Sequence, residues 1–410
     1  MLSRRVVITG MGVISPFGRG IESLMDGLLK GRSGVVQVPE LAAIKGMRTR
    51  VAALATGVDP MEIPRKFRRS MSSMSVYATL ACQDAARMAG IGEELLGSGR
   101  LGVSIGSTTG SPQTMQDFFQ DFNKDNSLER MKSTLFFHIM NHSCASNVAQ
   151  VLGVTGRILA PAAACSTSCQ AVGYAAEMIA MGRQELMLCG GADEFHPLTS
   201  GTFDIMNAAS TSFNDSPTST PRPFDRDRDG IVCGEGSGML LLESLDSALL
   251  RGADILAEIS GFATNSDPAS IANPDAAAIS ACMQLALSDA GVQPDQVDYV
   301  NAHATATEQG DIAECEAISR IFGHGAPVSS LKGHLGHAMA ASGTLELAAC
   351  IEMIRQELLI PTLNLDQIDP RCANVTHVQG IMKRPVQTVL KNNFALGGVN
   401  SSIILRRYQK

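Results

Sequence analysis

The sequence predicts an α/β fold, and three observations carry the prediction. Strand-like apolar runs alternate with helical patterns along the whole chain. The strand-like runs are apolar on both faces, as strands of a buried sheet are. Several of them close on glycine.

The elements follow in order. Arg5–Thr9 (RVVIT) opens the chain as a short buried strand, with Gly10 and Gly12 expected to turn it. Leu101–Ile105 (LGVSI) and Glu185–Leu188 (ELML) are similar. Helices are expected over Ser72–Met88, Gln170–Met181, Ala276–Ala290 and Thr344–Gln356. In the second, Cys169, Val172, Gly173, Ala176, Ile179 and Ala180 recur at helical spacing, which gives one small, buried face. Gly234–Gly238 (GEGSG) lacks the strand, GxGxxG, helix order of a dinucleotide site. It is expected to turn tightly into a strand at Met239–Leu242. Ser210–Gly230, rich in Ser, Thr, Pro and Asp, is the most loop-like stretch.

Bulk composition narrows the function classes. A chain of 410 residues, 45% hydrophobic and 18% charged, is long enough for two or three domain-sized units or one fused pair. The net charge of −7 gives no overall attraction to nucleic acid or to an anionic membrane. No uninterrupted apolar run reaches about 18 residues, so no membrane span is expected. The opening MLSRRVVITGMGV enters a strand pattern without a charged-then-apolar leader. Ten cysteines without a double CxxC pattern then read as reduced thiols in a cytoplasm, most of them small core residues.

A duplication is hinted at. RQEL occurs at Arg183–Leu186 and again at Arg355–Leu358, each time ending a helix that follows a turn of small residues. A shift of the same 172 residues carries Cys165 onto His337, which would put both at equivalent helix starts. The division expected is residues 1–250 and 251–410.

Three segments carry chemistry-bearing residues at turns: AAACSTS with Cys165, NAHATAT with His303, and SSLKGHLGHAMAASG with Lys332, His334 and His337. Turns at the carboxyl ends of sheet strands are where α/β sites gather. A helix N-terminus lowers a thiol's pKa and offers N–H groups to a developing oxyanion, and two histidines can polarise a carbonyl or move a proton. The same residues have plain readings too: a small packing cysteine, hydrogen-bonded histidines, and, for His334 and His337, half a metal site with no third ligand nearby. Spacing alone leaves both readings open.

The segments resemble the elongating β-ketoacyl-acyl-carrier-protein synthases of the thiolase-like superfamily. The motifs stand as Ala164-Cys165-Ser166, His303-Ala304-Thr305-Ala306-Thr307, and Lys332-Gly333-His334-Leu335-Gly336-His337 through Gly343. The opening VVITGMGVISPFG, the stretch Pro223–Gly238 and the C-terminal NNFALGGVNSS extend the likeness over essentially the whole chain. It implies two related halves in a five-layer α-β-α-β-α arrangement. It also implies a decarboxylative condensation of malonyl-acyl-carrier protein with an acyl thioester on Cys165, giving 3-oxoacyl-acyl-carrier protein. His303 and His337 would flank the thiol, and the backbone N–H groups of Cys165 and Leu396 would form the oxyanion hole. Lys332 would support the site, paired with Glu314 of the Asp311…Glu314 pattern. His334 would be structural, and Thr305 and Thr307 would meet the phosphopantetheine arm. No metal or other cofactor is implied, since phosphopantetheine arrives on the carrier protein. That protein would dock at the basic run Arg65, Lys66, Arg68 and Arg69. A homodimer is the expected assembly, with a heterodimer with a chain-length factor as the alternative.

The chain departs from the family's patterns in several places. Leu396 stands where a gating phenylalanine is usual, Ala304 replaces the glycine of HGT, and Ile231 replaces an aromatic. Thr108 and Thr109 stand where glycine and an apolar residue are common, and Thr109, Ile231 and Leu396 are expected to border the acyl pocket. These changes resemble a specialised pathway of aryl-polyene type. A coenzyme-A-dependent thiolase-like enzyme is the rival, and the two-histidine set argues against it. A chain-length factor alone would lack Cys165.

Overall fold

The structure, a computed structural model, describes residues 4–129 and 131–409. Its main sheet is built from β1 (Val6–Ser15), β2 (Leu101–Gly106), β3 (Ile158–Leu159), β4 (Leu186–Asp193), β5 (Gly236–Ser244), β6 (Ala257–Ser266), β7 (Tyr299–Asn301), β8 (Pro327–Ser329), β9 (Thr376–His377), β10 (Thr388–Ala395) and β11 (Val399–Arg406). Their order across the sheet is β9-β8-β7-β10-β11-β6-β1-β5-β4-β2-β3. Outward from the centre, one side therefore runs β1-β5-β4-β2-β3 and the other β6-β11-β10-β7-β8, with β9 beyond. The same arrangement occurs twice. The two sides join where β1 pairs antiparallel with β6, from Val6 opposite Ile259 to Ile8 opposite Ala257.

Five helices complete the layers: α1 (Ser73–Met88), α2 (Thr167–Ala180), α3 (Ala276–Ala290), α4 (Glu308–Phe322) and α5 (Ser342–Gln356). Helix α1 covers β1, β5 and β4 from one outer side, and α3 covers β6 and β11 from the other, packed against α4. Helices α2 and α5 pack against each other and against strands of both halves, so they form the middle layer. Their sequences explain the position. Every residue from Ser342 to Ile354 of α5 is buried, as is every residue from Thr167 to Gly173 of α2, and most of these side chains are small. A helix apolar around its whole circumference belongs inside. The outer α3 shows ordinary ends: Asp275 accepts from the N–H groups of Ala277 and Ala278, and Gly291 closes the helix at φ 62°.

Two expectations are corrected. Gly10 and Gly12 do not turn the first strand, which continues to Ser15. They let α1 approach: a Cβ at Gly10 would lie 2.1 Å from the Ala85 carbonyl oxygen, and one at Gly12 1.9 Å from that of Ala81. The register of the repeat also differs from the RQEL match. Ala164 and Met339 each open a short 3-10 turn at φ 45°, and the following helices start at Thr167 and Ser342. The structural shift is thus 175 residues, because the loops after the two helices differ in length. Cys165 corresponds to Ala340, and His337 lies three residues earlier. No helix among the described residues is long and apolar enough to cross a membrane.

Candidate active site

Cys165 is the middle residue of the Ala164–Ser166 turn that leads into α2. The turn is locked from several sides. The Ala163 N–H donates to Thr167 Oγ1 (2.8 Å), and Ser166 Oγ reaches the carbonyls of Asn393 and Val399 (2.9 and 2.8 Å). Asn393 Nδ2 donates to the Cys165 carbonyl (3.1 Å). Ala164, at φ 45°, occupies the left-handed region that alanine enters only at a cost. Ala306 and Met339, at 68° and 45°, do the same beside His303 and His337. Strained non-glycine backbone thus adjoins all three reactive side chains.

The thiol is 6% exposed and faces the backbone N–H groups of Cys165 and Leu396. The helix start was expected to lower its pKa, but the opposite holds. Burial pushes it up to about 11, outweighing Lys332 and the two N–H donors. Cys165 therefore rests as a thiol at neutral pH.

His303 sits in the turn after β7, and its backbone is held by α4. Glu314 accepts the N–H groups of His303 and Ala304 (2.8 and 2.7 Å), while Asp311 accepts those of Ala306 and Phe224 (3.1 and 2.8 Å). Burial raises both carboxyls, Asp311 to about 7 despite Arg228. Asn393 Nδ2, oriented by the Cys165 carbonyl, lies 3.4 Å from His303 Nδ1. Nδ1 is therefore the acceptor, which assigns the ring proton to Nε2. The His337 backbone is bonded to Val232 and Gly234, and its Nδ1 meets Ser342 Oγ at 2.6 Å. Its Nε2 is buried and has no partner among the described residues. Burial first, and then Lys332 and Lys391, hold both imidazoles well below the ordinary histidine value, with His337 adding to the effect on His303. The rings stand edge to face with centroids 5.3 Å apart. The sulfur and one nitrogen from each ring all lie within 4.8 Å of one another.

The pairing of Lys332 with Glu314 is not found. Lys332 Nζ lies 2.6 Å from Glu346 Oε1 on α5, because Glu314 spends its oxygens on backbone N–H groups and on Asn392 (3.2 Å). Glu346 also meets Lys391 of β10 at 2.7 Å. Sequence reasoning missed Glu346, Lys391, Ser342 and Asn393. One signal was available: Glu346 and Lys391 are charges inside stretches that otherwise read as buried, and a buried charge requires a partner.

A cleft of about 410 Å³ opens above the three side chains and is lined by Thr305, Thr307, Ile231, Leu396 and Phe394, among others. Thr305 and Thr307 touch through their hydroxyls at 3.1 Å. Thr109 is exposed and does not line this cleft; the neighbouring Thr108 is held by Asp193. Arg65, Lys66, Arg68 and Arg69 lie outside it, on and beside a short surface helix, Arg65–Arg68. His334 is buried, with its two ring nitrogens 3.0 and 3.1 Å from the carbonyl oxygens of Arg32 and Pro361, so its single N–H donates to one of them. All ten cysteines are unpaired and buried.

Buried thiol, paired neutral imidazoles and two converging N–H groups suit acyl transfer. Comparison with known proteins agrees. Residues 3–248 match the profile of the beta-ketoacyl synthase N-terminal domain, and residues 256–366 that of its C-terminal domain. The chain is 34% identical to 3-oxoacyl-[acyl-carrier-protein] synthase 1 of Escherichia coli K12, covering 98% of this chain and 99% of that one. A beta-ketoacyl synthase from Burkholderia phymatum superposes with a TM-score of 0.95 at 42% identity, covering 99% and 100%. A type II polyketide ketosynthase, solved with its acyl-carrier protein and bound to a hexaketide, superposes at 0.92 with 28% identity, again covering 99% and 100%. The chain belongs to the beta-ketoacyl synthase family of condensing enzymes, with its thiolase-like fold.

Proposed function

We propose that this chain condenses an acyl group with malonyl-acyl-carrier protein, using Cys165 as nucleophile. The single observation that carries the reading is the meeting of the Cys165 thiol with His303 and His337 at the floor of the cleft. In the first half-reaction, Cys165 Sγ attacks the carrier-bound thioester carbonyl. The oxyanion rests on the N–H groups of Cys165 and Leu396, the carrier thiolate leaves, and the cysteine's proton passes to it. In the second, malonyl-carrier protein binds in its place and its C–CO₂⁻ bond breaks, releasing carbon dioxide. The electron pair moves onto the thioester oxygen, where the N–H of His303 Nε2 and the free Nε2 edge of His337 meet the growing charge. The enolate carbon then forms the new C–C bond to the acyl-Cys165 carbonyl. The cysteine thiolate departs and takes a proton from solvent water, leaving a 3-oxoacyl thioester two carbons longer. Imidazoles held neutral by burial are the right donors for this step, and no metal or cofactor is called on. Lys332, Glu314 and Asp311 act as supports of the two histidine turns, and Thr305 and Thr307 as contacts for the pantetheine arm.

The carrier protein is acidic in this reading and is steered by Arg65, Lys66, Arg68 and Arg69. The halves divide near residue 250. The protein works in the cytoplasm as a homodimer, a reading supported by β3, an edge strand whose Ile158 is 48% exposed; size-exclusion chromatography with light scattering tests it, and a monomer that gains mass only with a chain-length factor overturns it. Ala304, Ile231 and Leu396 line the cleft and favour a specialised, aryl-polyene-type acyl chain, which a panel of saturated and polyunsaturated acyl-carrier thioesters tests.

The decisive experiment is intact-protein mass spectrometry after incubation with acyl-carrier thioesters. Wild type and Cys169→Ala should gain the acyl mass, and Cys165→Ala should not. Acylation of the Cys165→Ala variant sinks the assignment.

A further inference from the structure

Strand β10, Thr388–Ala395 (TVLKNNFA), carries one charged residue, Lys391, and it is fully buried. Its Nζ lies 2.7 Å from Glu346 Oε2 and donates to the Asn392 carbonyl, while Lys332 Nζ holds the other Glu346 oxygen at 2.6 Å. Two ammonium groups share one carboxylate, a net positive charge inside the middle layer. Lys332 and Glu346 would already form a neutral pair, so packing alone gives no reason to bury a second lysine, and burial opposes it. Lys391 nevertheless keeps its ammonium above the ordinary lysine value: burial works against it, and Glu346 more than offsets that.

Its location is equally telling. Side chains alternate along a strand, so Lys391 and Asn393 share a face. Asn393 grips the Cys165 carbonyl, His303 Nδ1 and Cys169 Sγ (3.1, 3.4 and 3.0 Å). Lys332 and Asp193 of β4 act on the Cys165 thiol, Lys332 and Lys391 act on both imidazoles, and Glu346 of α5 and Glu314 of α4 face the two lysines. The titratable thiols near them are Cys169, Cys233 and Cys350.

We propose that Lys391 is a positioning residue of the condensing site, which anchors Glu346 opposite Lys332 and adds a second buried ammonium group to the cluster behind Cys165 and the two histidines. This rests on the condensing reaction proposed above. A cation there opposes charging of either imidazole, which keeps both in the state the reaction uses, and it eases ionisation of the resting thiol as that thiol attacks.

The test compares full-length wild type, Lys391→Met and Lys391→Arg. The readouts are the pH dependence of Cys165 alkylation by iodoacetamide, the pH profile of kcat/KM, and Tm. For Lys391→Met, alkylation at a fixed pH near 8 should slow about tenfold, the consequence of a shift of about one pH unit. The acid limb of kcat/KM should move up by a similar amount. Lys391→Arg, which keeps the charge, should stay near wild type in both profiles. A Lys391→Met variant with the wild-type pH dependence, or a loss uniform across pH that follows a lower Tm, overturns the proposal. If Lys391→Met does not fold, Lys391→Gln, a neutral side chain of similar reach, carries the same comparison. Failure of wild-type Cys165 to take an acyl group would instead sink the condensing reading and leave the alkylation profiles interpretable.

Discussion

The two halves share a strand order and a 3-10 turn leading into a buried helix, yet their middle-layer helices are chemically unlike. In the structural register, Ala171 of α2 corresponds to Glu346 of α5, and both are buried. In the first half Cys165 sits on small packing residues, Ala171, Gly173 and, in β4, Cys189, Gly190 and Gly191, with the buried Asp193 ending that strand. The second half brings the imidazoles and, behind them, Lys332, Glu346 and Lys391. A repeated skeleton thus supports an asymmetric site. Compactness on one side lets the Cys165 turn come close to the two histidines, and a buried charge cluster on the other lies behind the groups that meet it.

Exchanging each residue for its counterpart is the harshest way to break this contrast. Glu346→Ala makes the second half resemble the first and takes from two buried ammonium groups the carboxylate they share. The expected cost is about 3–5 kcal/mol or more. Ala171→Glu inserts a buried carboxylate without a partner and should cost a comparable amount, with the introduced carboxyl protonated at neutral pH. Chemical denaturation at pH 7 measures both. A loss below about 1 kcal/mol for Glu346→Ala would mean that the two lysines find other compensation.

A pH series sharpens the contrast at the imidazoles. His303 and His337 stay neutral in the folded chain at pH values where an unfolded histidine, at about 6.5, is already protonating. Below about 6.5 the unfolded state binds more protons, so stability rises with pH through that window and is lost as pH falls toward the depressed folded values. Tm should therefore drop between pH 7 and pH 5, and His337→Gln should flatten part of that slope. It should also reduce condensation by about 10²-fold or more, as loss of a donor to developing charge does. An unchanged slope in His337→Gln would show that other groups dominate acid sensitivity.

Much of this was legible in the sequence, and what was not has a physical cause. The α3 boundaries, Ala276–Ala290, follow from a capping aspartate and a closing glycine, which are local signals. Cys165, His303 and His337 stand out because chemistry-bearing residues at small-residue turns are unusual. The course of β1 through Gly10 and Gly12 was not legible, because those glycines answer to α1, more than sixty residues away. Nor was the partner of Lys332. Glu314 lies before it in the chain and Glu346 after it, and only the folded chain reveals that Glu314 is occupied by backbone N–H groups. The raised thiol pKa was hidden for the same reason: a helix start is local, whereas burial depends on the whole middle layer.

The gentlest intervention probes the point where the halves touch. Ser168 and Gly343 occupy the same register position in α2 and α5, and they meet: Ser168 Oγ accepts the Thr344 N–H at 3.1 Å. A Cβ at Gly343 would lie 2.7 Å from Ser168 Oγ, 3.0 Å from Cys169 Sγ and 3.1 Å from Asn393 Oδ1. Gly343→Ala should therefore cost about 1–3 kcal/mol by overpacking. Because Asn393 also holds the Cys165 carbonyl and His303, the same change should slow acylation of Cys165. Adding Ser168→Gly relieves the closest of the three contacts, so the double variant should recover part of the stability, a coupling of about 0.5–1 kcal/mol in a double-mutant cycle. Recovery stays partial because the contacts with Cys169 and Asn393 remain. If the two substitutions simply add, then α5 has moved away from α2 to make room. The acylation rate of Gly343→Ala, read through Asn393, would report how far.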